Sequence, residues 1–432
     1  MPHRPIIRQD KATTKVRMVF DASAKGQGPS LNDCLHAGPP LATSLFGNLL
    51  RFRSYKVAVV ADIEKAFLQI AINENQRDFV RFLWFKDIKN IDYENFENND
   101  FSDLRFCRVI FGVTSIPFLL TGTLVNHIKK YEDSDPMTVA KLLSSLHVDD
   151  LNSGDSTVEK SLNLYKNSKN ILADAQFNLR KFRSNSSELE NLVATEMNEN
   201  ISDEKKVLGI YWDKSSDTFY FDLAEIVHKF HVFPTKRQVI QALASIFDPL
   251  GLINPIIVKL KIFYQNLCNF SKMDWDQQIP DELLPVWQEI IKDFQKVSFI
   301  SIPRCYFTHN DISSIQLHGF SDASKKAKGC VFYLRISYAD GTITSDLVTS
   351  KSRVNSVRKR SMPKLELSAA LLMMRVYNVL TQEFTLTLSY LKFICGWIPV
   401  LHLPGSKMEL RSITNLFKID LIKFKNLEIQ LL

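Results

Sequence analysis

Two short apolar runs that end in carboxylates constrain this chain more than any other feature. Val57-Ala-Val-Val-Ala61 is β-branched and uncharged, and it runs straight into Asp62. Such a run reads as a buried strand, which places the Asp62 carboxylate at the end of an element sheltered from water. Residues 142–148 lead in the same way into Asp149-Asp150, then Leu151 and Gly154, and read as strand, tight turn and strand. An Asp pair in a turn has an ordinary explanation, because Asp side chains bond turn backbone. Beside a third strand-end carboxylate it has another. Three carboxylates on adjacent strand ends form an oxygen-rich site for two divalent ions about 4 Å apart. Ions of the Mg²⁺ type suit it, since no Cys or His cluster accompanies the carboxylates.

The rest of the composition narrows the setting. At 432 residues, and roughly 150 residues per domain, the chain has room for several domains. Hydrophobic residues at 45% and charged residues at 23% are ordinary globular values, which excludes a mostly disordered chain. A chain of this length buries a large core without disulfides or structural metals. The net charge of +7 is compatible with a nucleic-acid partner without requiring one. Six scattered cysteines without a CxxC pair suit reduced intracellular thiols better than disulfides or zinc. The opening Met1-Pro2-His3-Arg4 is no signal peptide. The most apolar late stretch, residues 386–403, carries Lys392 and His402 and is interrupted by Pro399, so it reads as core strand and helix rather than a membrane span. An intracellular, cytoplasmic protein is expected, neither secreted nor membrane-bound.

Periodicity divides the chain further. Residues 16–20, 57–61, 79–85 and 106–111 read as strands, with a loop over 86–103 rich in Asn and Asp. Helices are expected over 118–130 and 158–175, and a polar, loop-rich segment over 184–204. From 234 to 297 the spacing is helical, with Val239, Leu243 and Ile246 on one face and a break at Asp248-Pro-Leu-Gly251. Strands over 315–319, 329–336 and 347–350 precede a helix starting near Pro363, which makes a small α/β unit.

Motifs in a fixed order carry a family resemblance. These are Lys15-Val-Arg-Met-Val-Phe-Asp-Ala-Ser-Ala-Lys25 with Ser30-Leu-Asn-Asp-Cys-Leu35, Asp62-Ile-Glu-Lys-Ala-Phe-Leu-Gln69, Phe111-Gly-Val-Thr-Ser-Ile-Pro-Phe118, His147-Val-Asp-Asp150, Leu179-Arg-Lys-Phe-Arg-Ser-Asn185 and Val207-Leu-Gly-Ile-Tyr-Trp-Asp213. Together they resemble the reverse transcriptase of BEL/Pao retrotransposons. The resemblance implies an α+β fold of fingers and palm, a helical thumb or connection, and a partial α/β ribonuclease H-like domain.

It also implies roles. Asp62, Asp149 and Asp150 would be catalytic and would hold two Mg²⁺ ions, with Mn²⁺ as a substitute. Lys15, Arg17, Phe67 and Gly112 would face the incoming deoxynucleoside triphosphate: the cations on its phosphates, Phe67 against a ribose 2′-hydroxyl, and Gly112 allowing close backbone approach. As plain structure, Phe67 is a core aromatic and Lys15 and Arg17 an exposed basic strand. Pro117, Phe118, His147, Lys181 and Gly209 would line an RNA or DNA template-primer, with Lys181 also a proton donor to pyrophosphate. His147 and Ile116 depart from the family's Tyr and small Ser at those positions.

Thr235-Lys-Arg-Gln-Val-Ile-Gln241, Phe247-Asp-Pro-Leu-Gly251 and Met273-Asp-Trp-Asp276 resemble the family's connection, which would grip duplex or simply pack as helices. Gly319-Phe-Ser-Asp-Ala-Ser324, Ser350-Lys-Ser-Arg353 and Pro363-Lys-Leu-Glu-Leu-Ser-Ala-Ala370 resemble its ribonuclease H-like domain. There Asp322 and Glu366 match two of the carboxylates, while Tyr390 stands where the third Asp is expected, so that cleavage is expected to be lost. The implied divisions are 1–213 for fingers and palm, 214–310 for thumb and connection, 311–400 for the ribonuclease H-like part, and 401–432 for a divergent tail. The resemblance implies a piece of a longer polyprotein. Two alternatives to an active polymerase stay open: a silent remnant that at most binds nucleic acid, and a peptidase. The second lacks any Asp-Ser-Gly or Asp-Thr-Gly triplet.

Overall fold

A computed structural model describes residues 1–7, 16–270, 273–307, 309–358, 360–385 and 391–397. Lys15, Tyr390, Pro399 and the tail 401–432 with His402 lie outside the described residues, and Arg17 is described in its backbone alone. The chain forms two compact units: residues 1–48 with 55–204, and residues 49–54 with those from 205 onward.

In the first unit, β1 (His3–Ile7) and β2 (Val16–Phe20) form an antiparallel pair, followed by the start of α1 (Leu45–Phe52), whose residues from Leu49 count with the second unit, and by β3 (Val57–Ile63). A second antiparallel pair follows, β4 (Arg81–Phe85) with β5 (Phe101–Arg105). Next come α2 (Ile116–Ile128), α3 (Pro136–Ser145), β6 (Leu146–His147) and β7 (Asp150–Asp155). The unit ends with α4 (Val158–Asp174), β8 (Leu179–Arg183) and α5 (Ser187–Glu196). The order β6-β7-β3-β8 makes a four-stranded antiparallel sheet with β3 inside it. Every residue of β3 except Asp62 is buried, as a strand without polar alternation requires. Val57, Val59, Ala61 and Ile63 join one apolar cluster with Leu120 and Leu124 of α2 and Tyr165 and Leu172 of α4. Each such side chain stabilises the fold by roughly 1.5–3 kcal/mol.

Three expectations fail here for identifiable reasons. The run 142–148 is strand only at Leu146–His147, because α3 continues through Ser145. Asp135 caps that helix by accepting a bond from the Thr138 N–H at 3.1 Å, Pro136 opens its first turn, and Val139 and Leu142 form its buried face. The segment 184–204 contains α5, capped by Ser186 and buried at Leu189 and Val193 alone. Two apolar anchors four residues apart are enough for a helix and easily lost among polar neighbours. The strand placed at 106–111 lies at Phe101–Arg105 instead. Phe106 ends it and packs edge-on to Phe20 and stacked on Phe82, each at 4.7 Å between ring centroids.

The second unit opens with β9 (Lys206–Val207), β10 (Ile210–Asp213) and β11 (Thr218–Asp222), then α6 (Leu223–Val227), α7 (Lys236–Ser245), α8 (Asn254–Asn269) and α9 (Leu284–Lys296). β12 (Phe299–Pro303) returns to complete the sheet β12-β11-β10-β9. β13 (Ile312–Ala323), β14 (Ala327–Tyr338) and β15 (Ile343–Val354) are a long antiparallel meander, and α10 (Met362–Thr385) packs on β13 and β14. β16 (Leu391–Trp397) then pairs with β13 in parallel. Thr235 and Gln238 form a reciprocal capping box at the start of α7. The break at residues 248–251 is a built turn: Asp248 accepts from the N–H groups of Leu252 and Ile253 at 2.8 and 2.9 Å. Gly251, at φ +69°, ends it where a Cβ would lie 1.9 Å from the Ser350 carbonyl oxygen.

Two buried arginines hold this unit together. Arg304, wholly inaccessible, donates to both Asp217 carboxylate oxygens at 2.6 and 2.7 Å and to the Phe52 carbonyl at 2.6 Å. Arg53 donates to the carbonyls of Pro303, Arg304 and Leu347 and lies 4.2 Å from the centre of the Tyr306 ring. Removing one partner of a buried pair leaves the other charge uncompensated. Arg304→Leu is therefore expected to destabilise the second unit by about 3–5 kcal/mol, seen as an earlier urea-unfolding transition. An unchanged midpoint would contradict this reading of the pair.

Candidate active site

The catalytic candidates of the first unit are brought together by strand register. Asp62 of β3 stands directly opposite Asp150 of β7, and Asp149 occupies the turn between β6 and β7. That turn is tight, with His147 opposite Asp150 and Val148 at φ +59°. A β-branched residue there is strained by about 1–3 kcal/mol. The Asp149 carbonyl accepts from the Ile63 N–H at 2.8 Å, which pins the turn to the end of β3.

Charge in this corner is poorly compensated. Burial, then the neighbouring Asp62 charge, raises the Asp149 carboxyl above the ordinary range against its own backbone N–H. Asp150 is pushed up to about 7 by burial and by the charges of Asp149, Asp62 and Glu204, with Arg183 opposing. The cations come from β8. Lys181 Nζ lies 2.7 Å from Asp62 Oδ2, and Arg180 Nε lies 3.4 Å from Asp62 Oδ1. Burial works against the Lys181 charge, but its bond to Asp62 and the charges of Asp62 and Glu204 raise its proton affinity overall. Its backbone is left-handed at φ +56°, an uncommon conformation that turns the side chain out of the strand's regular alternation. Arg183 is buried and bonded to the Glu204 carbonyl.

The donor chemistry fits a hard divalent cation: three carboxylates, two of them raised, and a buried Asp62 Oδ1 without a hydrogen-bond partner. Their side chains do not converge as placed. Among the described residues no group of three or more His, Cys, Asp or Glu forms a ready metal cluster. Lys181 supplies the positive charge next to Asp62 instead.

The remaining candidates are placed as follows. Phe67 lies on a short 3₁₀ turn, Ala66–Gln69, partly buried and edge-on to Phe111 at 4.9 Å. Gly112 has φ +100°, and a Cβ on it would lie 2.6 Å from the Phe20 carbonyl oxygen, so packing against β2 already requires glycine here. Asn32, which sequence reasoning did not single out, donates to the Gly112 carbonyl and accepts from the Thr114 N–H, both at 2.9 Å. It thereby clamps the loop before α2, and its only sequence signal was its place within the Ser30–Leu35 motif. Pro117 opens α2 on the surface, Ile116 is buried in the core, and Phe118 packs on Gly38. His147 Nδ1 lies 2.8 Å from the Thr43 carbonyl oxygen. Arg17 stands on β2.

Gly209 belongs to the second unit, at φ +88° in the turn between β9 and β10 and against the Phe247 ring. Also in that unit, Asp322 is exposed at the end of β13, where its Oδ1 accepts from the Ala323 N–H at 2.7 Å. Glu366 is buried on α10 with Oε2 unpartnered. Ala323 packs with Leu365 and Ala369, which joins the two neighbourhoods. β16 begins opposite Ile315, seven residues short of Asp322, and runs parallel to β13.

The comparisons agree with this architecture. Residues 235–396 match the family described as Pao retrotransposon-like RNaseH-like domain, a span from the cap of α7 into β16. No curated protein matches the chain. Three solved structures of the foamy viral protease-reverse transcriptase share the fold. One, in complex with double-stranded DNA, has TM-score 0.56 at 17% identity over 96% of this chain and 62% of that one. Another, with an RNA/DNA hybrid, has 0.54 at 16%, over 96% and 49%. A third, with double-stranded DNA, has 0.51 at 14%, over 93% and 78%. The chain thus spans about 62% and 49% of the length of the first two. No helix among the described residues is long and apolar enough to cross a membrane. The chain has the fold of these reverse-transcriptase structures, and its residues 235–396 match the Pao retrotransposon-like RNaseH-like domain.

Proposed function

We propose that the chain is an RNA-directed DNA polymerase of the BEL/Pao type, extending a primer 3′-hydroxyl on an RNA or DNA template with deoxynucleoside triphosphates. The observation that carries this is the register of Asp62 opposite Asp150 with Asp149 in the adjoining turn. Asp62, Asp149 and Asp150 would hold the Mg²⁺ pair, which when bound activates the hydroxyl and neutralises charge on the departing pyrophosphate. The chain's own residues supply position and charge around them. The pinned turn fixes Asp149 against β3, and preorganised charge costs no rearrangement during reaction. Lys181, held at 2.7 Å from Asp62 Oδ2, stands beside the site, where its ammonium would face the phosphates as a proton donor. Phe67, steadied by Phe111, presents a bulky edge against a 2′-hydroxyl. Foamy viral relatives in complex with double-stranded DNA and an RNA/DNA hybrid support duplex as the partner.

The second reading, a silent remnant that at most binds nucleic acid, draws on the ion pair of Lys181 with Asp62 and on the unconverged carboxylates. Primer extension on a homopolymer RNA with Mg²⁺ separates the two. The proposal expects incorporation that falls at least about a thousandfold in Asp149→Asn with Asp150→Asn. Equal incorporation by folded wild type and double variant, with Mg²⁺ and with Mn²⁺, would leave the remnant.

Stability without metal should depend on pH. Asp150 has its folded pKa raised to about 7, above an unfolded value near 4, so its contribution is most favourable at low pH and is lost as pH rises through the folded value. Asp150→Asn is expected to match wild type to within about 0.5 kcal/mol near pH 4, to pull ahead as pH rises, and to exceed it by about 2–4 kcal/mol above pH 7, in chelator. Thermal melts across that range check this, and equal stability at both ends would contradict it.

A further inference from the structure

We infer that Glu204 is a positioning residue of the carboxylate corner, the group that takes the Lys181 ammonium when Asp62 turns to a divalent cation. The inference rests on the reading of Asp62, Asp149 and Asp150 as a metal site, and adds to it a fourth carboxylate with a different task. As the side chains stand, Lys181 is shared: its Nζ lies 2.7 Å from Asp62 Oδ2 and 3.5 Å from Glu204 Oε2. The first distance is a full charge-assisted contact and the second a loose one. An ammonium and a divalent cation repel each other when both lie against one carboxylate. Lys181 therefore needs a second anion within reach, and Glu204 supplies it.

The fold places Glu204 through the strand that carries Lys181. The Ser202 N–H donates to the Phe182 carbonyl at 2.8 Å, and Arg183 donates to the Glu204 carbonyl. The segment before β9 is thus fastened to β8 at the two residues that follow Lys181. The Glu204 N–H donates to Ser202 Oγ at 3.2 Å, which fixes the turn between the two fastenings. Arg180 offers a comparison within the same corner. It too stands between two carboxylates, with Nε 3.4 Å from Asp62 Oδ1 and Nη1 2.9 Å from Glu64 Oε1, while Asn178 donates to Glu64 Oε2 at 2.9 Å. Arg180 is already committed to its second carboxylate, and Asp62 Oδ1 has no hydrogen-bond partner. Lys181 is still on Asp62. The two cations stand at opposite ends of one exchange. Side-chain exposures of 39% for Lys181 and 42% for Glu204 make their pair a weak one that adjusts readily in water. Weakness suits the task, since a strong pair would hold Lys181 off Asp62 at all times.

The test is a double-mutant cycle on Mn²⁺ binding by the full chain, read from the free-ion electron paramagnetic resonance signal at neutral pH, with no turnover required. Glu204→Gln is expected to weaken binding by about tenfold, because Lys181 then has Asp62 alone to pair with, and by less than about twofold when Lys181→Met is also present. Glu204→Asp keeps the charge but shortens the reach, and is expected to bind more like Glu204→Gln than like wild type. If Glu204 merely lent negative potential to the corner, Glu204→Gln would cost the same factor in both backgrounds and Glu204→Asp would bind like wild type. Either result would overturn the exchange, as would wild-type affinity in Glu204→Gln. Binding by Lys181→Met with none by wild type would overturn it as well, since the ammonium would then never leave Asp62. Absence of binding from every one of these chains would instead remove the metal-site reading itself, and this inference with it.

Discussion

Everything in the first unit answers to the pairing of β3 with β7, which sets Asp62 against Asp150 where little water reaches. Carboxylates held together under burial repel one another and resist ionisation. The surroundings partly offset this. β8 brings Arg180, Lys181 and Arg183 to the same end of the sheet, and Lys181 leaves the regular strand conformation while bonded to Asp62. The turn itself is strained at Val148. A fold that accepts repulsion, strain and an off-pattern lysine at one point gains nothing in stability from them, and such concentrations are typical of sites kept for chemistry.

The second unit handles charge in two opposite ways. Inside, Arg53 and Arg304 are saturated by carbonyls and by Asp217, and act as structural ties. On the surface, Lys328 and Arg353 stand opposite each other on β14 and β15, and among the described residues neither forms an ion pair. The contrast matters, because the same residue type serves cohesion in one place and stays open to solvent in the other. What decides between them is whether the donors are already satisfied.

Much of the carboxylate corner was legible in the sequence, because a buried strand without polar alternation has one reading and its terminal Asp stands out. The resemblance of ordered motifs then supplied fingers, palm and RNase H-like parts, and the α+β architecture follows it. Other features depend on distances that no local pattern encodes. Gly112 is required by the Phe20 carbonyl across a loop, and Asn32 matters for what it clamps far along the chain. Helices α3 and α5 were hidden because a few buried residues anchor them among polar neighbours.

The central claim is that Asp62, Asp149 and Asp150 form a divalent-metal site despite the lysine on Asp62. Counting bound Mn²⁺ by the loss of the free-ion electron paramagnetic resonance signal tests it without requiring turnover. The account predicts saturable binding by the wild-type chain at neutral pH that disappears in Asp62→Asn and in Asp149→Asn with Asp150→Asn, and that strengthens when Lys181→Met removes the competing cation. Binding that is absent from folded wild type, or equal in all these variants, would contradict it.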